Sequence, residues 1–407
     1  MINVVILNGG RGASTIIPAL IEKNNVKLTS IVNAYDDGKS TGEIRRFFSM
    51  LGPSDIRKVQ ELMLDKDDKN YLNHLKLFQF RLPKSISRSA ALKELNSFSS
   101  SNTISLFDIP IEDVIVRKAI KFFIRTFLAN LMLVEKVHSK KFTFPDCSIM
   151  NCIYAGAFLV MNRNIEDVAI YLQKIFNLKG SVLPNSIENK TLSAIRENGV
   201  ILYSEAEIVE LRSNVLIDRI FMLDQPFSKK SFKGLTAEEK KEVLINHHSF
   251  LDASPRVRSA LTNADIIIYA PGTQHSSLYP TYLSDGLSES IADNKKAIKF
   301  FITNIGADYE TPTYKASDYI LNAFRYLNFT KKREFRLDEL FDYVFVNSAK
   351  NRKNKSYVSL DKKKFLKIPV KLIIKDFESS SKVGKHDGQK IVNLITDIFN
   401  KSLKAGS

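Results

Sequence analysis

Three glycines stand within four residues directly after the first apolar run of the chain, residues 3–7. The turn and the polar residue that follows it comprise Gly9, Gly10, Arg11, Gly12 and Ser14. Glycine lets a backbone approach a ligand closely, and the free N–H groups at the start of a helix attract an anion. An ordinary tight turn needs only one glycine. The spacing therefore favours a site for a phosphate-type anion at this turn.

Two adjacent carboxylates, Asp36 and Asp37, follow the second apolar run, residues 28–32. A hard divalent cation takes carboxylate oxygens as ligands and shares its remaining positions with substrate phosphates. Carboxylates at the end of a strand, beside a glycine turn, suit that arrangement. We therefore expect Asp36 and Asp37 to hold Mg²⁺, with a solvated turn as the alternative.

Two common nucleotide-binding motifs are present only in part. Gly10 and Gly12 match the first two glycines of a dinucleotide fingerprint, but Thr15 occupies the third position. Residues 38–41 resemble the end of a P-loop, yet Asn33 stands where its first glycine belongs. The two aspartates would also lie inside that loop, among the phosphates. These departures disfavour both an NAD enzyme and a P-loop ATPase.

Apolar runs alternate with helical patterns along most of the chain. Short continuous apolar runs are typical of parallel strands that are covered on both faces. They fall at residues 3–7, 28–32, 264–270, 298–302 and 343–346, and an alternating run at 367–375 indicates a half-buried strand. The pattern predicts an α/β fold with a Rossmann-like, doubly wound and mainly parallel sheet.

One stretch of the chain departs from this alternation. Residues 81–145 contain a Ser/Asn-rich piece and then a long amphipathic helical pattern at 112–137, without the periodicity of a sheet. We expect a helical insertion or lid there, within a single α/β domain that spans residues 1–400. Residues 401–407 are expected to form a flexible tail.

Composition restricts the class of protein. The 407 residues are 44% hydrophobic, enough for a large core, and include two cysteines, Cys147 and Cys152. A disulfide framework is thereby excluded. The start of the chain lacks the basic and small-residue pattern of a signal peptide, and no apolar stretch is long enough to span a bilayer. We expect a soluble, cytoplasmic protein without a membrane span.

The net charge of +16 favours phosphate-rich partners, among them nucleotides, nucleic acids and anionic membranes. The basic residues are dispersed, however, and the densest stretch, 350–375, ends in the alternating run already described. No signature of a nucleic-acid-binding module is present. Nucleic acid is therefore an unlikely partner.

Short motifs along nearly the whole chain resemble those of the CofD/YvcK superfamily. The glycine turn at 9–14 is similar to the family's GGGTG-S, and residues 32–45 to its VN-x-x-DDGGSSGRLR. Further matches lie at 52–57 (PPGDIR), 147–151 (HS-x-GN), 182–184 (VLP), 264–280 (ADLIV-x-GPGS-x-x-TS-x-x-P) and 386–390 (HD-x-x-K). Their shared order and spacing make the resemblance stronger than any single motif.

The resemblance implies a Rossmann-like sheet that binds a nucleoside diphosphate derivative, often in a homodimer. In the transferase branch, typified by 2-phospho-L-lactate transferase, Mg²⁺ assists as a phospho-linked group moves to an acceptor hydroxyl and a nucleoside monophosphate leaves. In the YvcK branch the same cleft binds UDP-sugars, and the protein regulates cell-wall and carbon metabolism without settled turnover. Transfer is our leading expectation, and a nucleotide-sugar sensor is the alternative.

The resemblance also identifies candidate site residues. Asp36, Asp37 and Arg57 are the expected catalytic residues. The expected ligand-binding residues are Gly9, Gly10, Arg11, Gly12, Ser14, Asn33, Lys39, Ser40, Arg45, Asp55, Asn151, Pro271, Gly272, Thr273, Ser276 and Ser277. Arg11 and Lys39 replace family glycines, and each adds a cation that can pair with phosphate.

Overall fold

A parallel β-sheet with helices on its faces organises the protein. The computed structural model describes residues 1–329, 333–348 and 357–406. In chain order the strands are β1 (Ile2–Asn8), β2 (Val26–Val32), β3 (Ser105–Leu106), β4 (Ile109–Pro110), β5 (Ser181–Pro184), β6 (Thr191–Arg196), β7 (Ile201–Leu202), β8 (Ile217–Leu223), β9 (Leu251–Asp252), β10 (Ile266–Tyr269), β11 (Ser284–Asp285), β12 (Ile298–Ile302), β13 (Tyr343–Asn347) and β14 (Lys371–Lys375).

Helices connect most of these strands. They are α1 (Ile16–Ile21), α2 (Lys39–Phe48), α3 (Ser54–Leu62), α4 (Tyr71–Gln79), α5 (Arg88–Ser100), α6 (Val114–Val137), α7 (Ile149–Val160), α8 (Ile165–Ile175), α9 (Glu205–Glu210), α10 (Ala237–Asn246), α11 (Pro255–Thr262), α12 (Tyr279–Tyr282), α13 (Leu287–Asp293), α14 (Ala316–Leu327), α15 (Leu337–Leu340), α16 (Lys362–Phe365) and α17 (Gly388–Gly406). Among the described residues, none of these helices combines the length and the apolar character that crossing a bilayer requires.

Seven strands form the central sheet, in the order β14-β13-β12-β10-β1-β2-β5, and every neighbouring pair is parallel. The predicted α/β fold is confirmed, and each of the six predicted runs contains a strand. From β1 the chain builds outward through β2 and β5, then returns to place β10 on the other side of β1. The loops after β1 and β10 therefore leave in opposite directions and open a crevice at their carboxyl ends, where ligands of such folds bind.

Two small features of the sheet region were not predicted. The four-residue strand β5 ends in Pro184 and is too short to produce a distinct apolar run. The strands β6, β7 and β8 form a separate antiparallel sheet with its own small core around Ile195, Phe221 and Leu244. Short strands of this kind carry little periodicity in the sequence.

The segment 81–145 consists of α5, a hairpin of the two-residue strands β3 and β4, and α6. α6 packs closely on α7, because Gly156 allows the backbone of Phe123 to touch it. Whether the segment is an insertion or a lid stays a prediction.

Helix α17 continues to Gly406, through most of the residues expected to form a flexible tail at 401–407, and the flexibility of that tail stays a prediction. Its buried apolar residues Ile391, Ile395 and Phe399 recur at helical spacing and hold the helix on the core. Its first residue, Gly388, touches the backbone of Thr15, directly before α1. The start of the basic stretch, residues 350–356, lies outside the described residues.

Candidate active site

A cleft of about 1090 Å³ lies at the carboxyl ends of β1 and β10, at the point where the strand order reverses. The predicted residues that line it are Gly9, Gly10, Arg11, Gly12, Ser14, Asp36, Lys39, Ser40, Asp55, Arg57, Pro271, Gly272, Thr273, Ser276 and Ser277. Sequence positions more than 250 residues apart thus meet in one cleft.

The glycines of the first turn have a packing role as well as a ligand-facing one. A Cβ on Gly12 would overlap the carbonyl oxygen of Pro271, and one on Gly9 would lie 2.6 Å from Cβ of Ser277. A side chain on Gly10 would collide with the Asp55 carboxylate. Glycine is therefore needed because the first turn touches both the second loop and α3.

The first turn also has backbone donors to offer. Within the described part of the chain, the N–H groups of Gly10, Arg11 and Gly12 have no protein acceptor. The Arg11 side chain is exposed at the cleft. Unpaired N–H groups beside a cation form a site for a phosphate group.

Several donors of the second loop, residues 270–277, are bonded to other segments of the protein, although Gly272 and Ser276 were expected to bind the ligand. The N–H of Gly272 donates to Oδ1 of Asn304 at 2.9 Å. The N–H groups of His275 and Ser276 donate to Oε2 of Glu310, at 2.7 and 3.0 Å. Ser276 Oγ donates to Oε1 of Glu310 at 2.5 Å. The Ser276 hydroxyl is therefore engaged by a carboxylate of the protein itself.

Glu310 is buried, and its carboxyl group has a pKa close to neutral pH. Burial, and then the charge of Asp308, raise its pKa to about 7. His275, next to it in space, is also buried, and desolvation lowers its pKa to about 3. A neutral, enclosed imidazole of this kind does not supply a proton to the cleft.

Acidic side chains gather around one lysine on the opposite wall. Lys58 Nζ lies 2.9 Å from Oδ1 of Asp55 and 3.8 Å from Oδ2 of Asp36. Burial acts to lower the pKa of Lys58, but the charges of Asp55 and Asp36 outweigh burial and raise it. Glu205 lines the same wall, and burial and the charges of Asp36, Asp37 and Asp55 raise its pKa well above its usual range.

The two aspartates of the predicted metal pair have different positions. Asp36 lines the cleft, where its Oδ1 accepts the N–H of Gly38 at 3.0 Å. Asp37 instead turns toward α9, and its Oδ1 accepts the N–H of Ala206 at 2.8 Å. Burial raises the pKa of Asp37. Asp37 therefore holds the start of α9 and lines a smaller pocket beside the cleft, which corrects the expectation that both carboxylates face the same ligand site.

Three predicted residues lie behind the cleft and hold its walls. Asn33 donates to Oδ2 of Asp55 at 3.3 Å and to the carbonyl of Ser277 at 3.1 Å. Arg45 donates to the carbonyl of Tyr35 at 2.7 Å and to that of Lys190 at 2.6 Å. They join the elements that carry the site and do not face the cleft.

The third residue of this kind, Asn151, donates to Oγ of Ser40 at 3.2 Å, and its own Oδ1 is buried without a hydrogen-bond partner among the described residues. Arg57 lines the cleft but is largely buried. Its Nη1 donates to the carbonyl of Phe78 at 2.6 Å, while its Nε has no partner there. A catalytic role for Arg57 stays a prediction.

A side lobe of about 540 Å³ adjoins the cleft and shares Lys39 and Ser40 with it. The lobe lies between α2 and residues 143–146, at the end of the helical segment. Asp146 closes its edge through ion pairs with Lys39 at 3.5 Å and Arg81 at 2.6 Å. The helical segment therefore contributes one wall of the site.

Sequence reasoning missed four residues that shape the site, namely Lys58, Glu205, Asn304 and Glu310. Lys58 could have been found, because it stands three residues after Asp55 and so shares its face of α3. The other three lie in segments without a recognisable motif, and only the fold brings them to the cleft.

The side chains at the cleft offer a Mg²⁺ ion one carboxylate ligand from the predicted pair rather than two. Asp36 offers a carboxylate at the cleft, and Mg²⁺ commonly takes one or two carboxylates together with substrate phosphates and water. Asp37 lines the side lobe instead, and its Oδ1 is bonded to the N–H of Ala206. Among the described residues no group of three or more acidic, histidine or cysteine side chains is arranged to hold a metal ion by itself.

Comparison with known proteins places this site in a family. Residues 4–378 match the family model described as 2-phospho-L-lactate transferase CofD. A Thermotoga maritima protein is 23% identical over 97% of this chain and 98% of its own length. The "Gluconeogenesis factor" of Listeria innocua is 25% identical over 78% of this chain and 71% of its own length.

Solved structures agree on the fold. Two crystal structures of a Bacillus halodurans protein, one described as a member of the upf0052 family, superpose with TM-scores of 0.68 and 0.66. Their sequence identities are 19% and 20%, and each covers 97% of this chain and 99% of the other. The family match extends over the sheet, both glycine-containing loops and the acidic wall, and the chain belongs to the CofD family.

Proposed function

We propose that the protein binds a nucleoside diphosphate-linked donor in the cleft and transfers a phospho-linked group from it to an acceptor hydroxyl. The observation that carries this proposal is the unpaired N–H groups of Gly10, Arg11 and Gly12, beside the exposed Arg11 side chain. These donors suit a diphosphate. The cleft of about 1090 Å³ has room for the rest of a nucleotide.

The transfer is a displacement at phosphorus. The acceptor oxygen bonds to the phosphorus that carries the transferred group, and the bond from that phosphorus to the bridging oxygen breaks. The nucleoside monophosphate leaves with the bridging oxygen. Glu205, at the cleft wall with a raised pKa, is suited to take the hydroxyl proton. Arg11 and Lys58 would offset the charge that develops on the phosphate oxygens.

Mg²⁺ is part of the proposal, with Asp36 as its protein ligand. When bound, the ion would neutralise charge on the diphosphate. The remaining ligands would be phosphate oxygens and water. Asp37 would support this site from behind, because it ties residues 36–38 to the start of α9.

The side lobe is the place we propose for the acceptor. It opens onto the cleft at Lys39 and Ser40, and its cations include Arg46 and Lys84. Three carboxylates, those of Asp37, Glu43 and Asp146, line the same lobe, so its charges are balanced and it suits a polar acceptor that can bond to both signs of charge.

Product analysis tests the proposed transfer. Purified protein is incubated with Mg²⁺, a panel of nucleoside diphosphate-linked donors and candidate acceptors, and released nucleoside monophosphate is measured. Release that depends on both acceptor and Glu205 is expected, and Glu205→Gln should lower it by about 100-fold or more. Glu207→Gln, a nearby exchange on the same helix, is the matched control and should retain activity. If no donor yields monophosphate, transfer is refuted.

A nucleotide-sugar sensor without turnover is the second candidate. The use of Asp37 as a helix cap favours it, since only one carboxylate of the pair is left for a metal. The Listeria innocua relative is named a gluconeogenesis factor, and that name states no transferase activity. This function predicts saturable binding of a UDP-sugar, no product, and in vivo function that survives Glu205→Gln, the exchange that should inactivate a transferase.

A further inference from the structure

Helix α6 presents an apolar face that the described residues of the protein leave uncovered. Ile115, Phe122, Leu133 and Val137 are 66%, 52%, 60% and 74% exposed. Their spacing places them along one side of a helix of 24 residues, about 36 Å long. Contiguous apolar surface of this kind marks an interaction site.

Basic residues accompany these apolar side chains. Lys118, Arg125 and Lys136 are exposed on the same side of α6. The helix contains five basic residues and one acidic residue, Glu135. Glu135 is buried and bonded to Arg88 at 2.9 Å, so its charge does not reach this face.

We infer that this face of α6 docks on the surface of an anionic lipid membrane, with the helix lying parallel to the bilayer. Apolar side chains would enter the headgroup boundary, while lysine stems extend toward the phosphates. The net charge of +16 adds long-range attraction to an anionic surface.

Charge complementarity selects this occupant over a second copy of the chain. A two-fold contact uses the same patch on both subunits. It would therefore bring Lys118, Arg125 and Lys136 of one copy against the same basic residues of the other. Phospholipid headgroups with a negative charge supply the complementary sign.

Vesicle co-sedimentation of the full chain tests the inference. Vesicles of phosphatidylcholine alone are compared with vesicles of phosphatidylcholine and phosphatidylglycerol, at low and high salt. We expect binding only to the anionic vesicles, weakened by salt. The double variant Phe122→Ser with Leu133→Ser should lower the partition coefficient by about tenfold or more. Lys118→Gln with Lys136→Gln should lower it by about fivefold for each lysine.

Matched exchanges on α17, Leu403→Ser with Lys401→Gln, serve as the control, because Leu403 is 58% exposed on a different helix. The control should bind as the wild type does. Equal binding by the α6 variants, or no binding by the wild type, overturns the inference. A wild-type dimer that the α6 variants dissociate would also overturn it, in favour of a second copy. The lysine variants keep the test valid if the serine variants fold poorly.

Discussion

At the scale of single residues, the glycines of the first turn act mainly by what they allow to touch. Gly12 meets the backbone of Pro271, and Gly10 meets Asp55. The sequence pattern correctly drew attention to this turn. The reason inferred from that pattern was incomplete. It included the close approach of a ligand but not the close approach of the second loop.

The packing of Gly12 leads to a direct prediction. Gly12→Ala should push the two loops apart, lower the melting temperature by several degrees and weaken nucleotide binding, because backbone cannot yield as a side chain can. The control is Gly38→Ala in the same cleft, where the new Cβ would meet only Asp36 at 3.5 Å. Thermal unfolding and nucleotide titration of both variants measure the difference. Equal behaviour of the two would show that the loop contact is unimportant.

The aspartate pair leads to a second prediction. In Asp36→Asn, the gain in nucleotide affinity that Mg²⁺ causes should be about tenfold or more smaller than in the wild type, because the variant lacks the carboxylate at the cleft. Asp37→Asn should leave that dependence nearly unchanged, because the Asn oxygen can still accept the N–H of Ala206. Mg²⁺ titrations monitored by calorimetry distinguish the variants. A larger loss from Asp37→Asn would show that Asp37 is a metal ligand, as the sequence alone predicted.

At the scale of elements, the strands could be predicted and the arrangement of the loops could not. A buried parallel strand such as β10 is a continuous apolar run, so its type and place follow from the sequence. β5 is too short for such a signal. Gly272 was expected to bind the ligand, but its N–H donates to Asn304, and Glu310 accepts two further N–H groups of the second loop. That contact joins distant segments, and no local pattern encodes it.

Glu310 makes the stability of the second loop depend on pH. Folding raises its pKa from 4.5 to about 7, so the protonated form is favoured in the folded state. The resulting stability is fully present below about pH 4.5 and is lost as the pH rises through about 7, by up to about 3 kcal/mol. Urea unfolding across this range should show the decline.

Glu310→Gln should make that decline smaller, because the amide does not titrate, and the slope that remains comes from other carboxyl groups with raised pKa values, such as Glu205 and Asp37. Glu242→Gln, an exposed exchange on α10, should keep the wild-type slope. A wild-type profile that is flat between pH 5 and 8 would mean that the three hydrogen bonds hold Glu310 ionised throughout.

At the scale of the whole molecule, the cleft joins parts that are far apart in sequence, from the first turn to His386. A ligand bound there should stabilise the chain as one unit. At about 100 times its dissociation constant, a nucleotide ligand should raise the free energy of unfolding by about 2.7 kcal/mol. Calorimetry should record one transition that moves upward as a whole. Two transitions, of which the ligand moves only one, would refute a single domain over residues 1–400.

The homodimer stays a prediction at this scale, and sedimentation velocity measures it directly. In our account, the dimer interface does not include the exposed apolar face of α6. Dimer formation and membrane docking therefore use different surfaces in our account. Variants of α6 should leave the sedimentation coefficient unchanged.

The central claim is that the first turn binds the diphosphate of a nucleotide ligand. Isothermal titration of a nucleoside diphosphate and a nucleotide sugar into the wild type and Arg11→Ala tests it most directly, with Arg336→Ala as an exposed arginine control. We predict saturable binding to the wild type, affinity about tenfold or more lower for Arg11→Ala, and no change for Arg336→Ala. Identical affinities for all three proteins, or no binding by the wild type, would contradict the account.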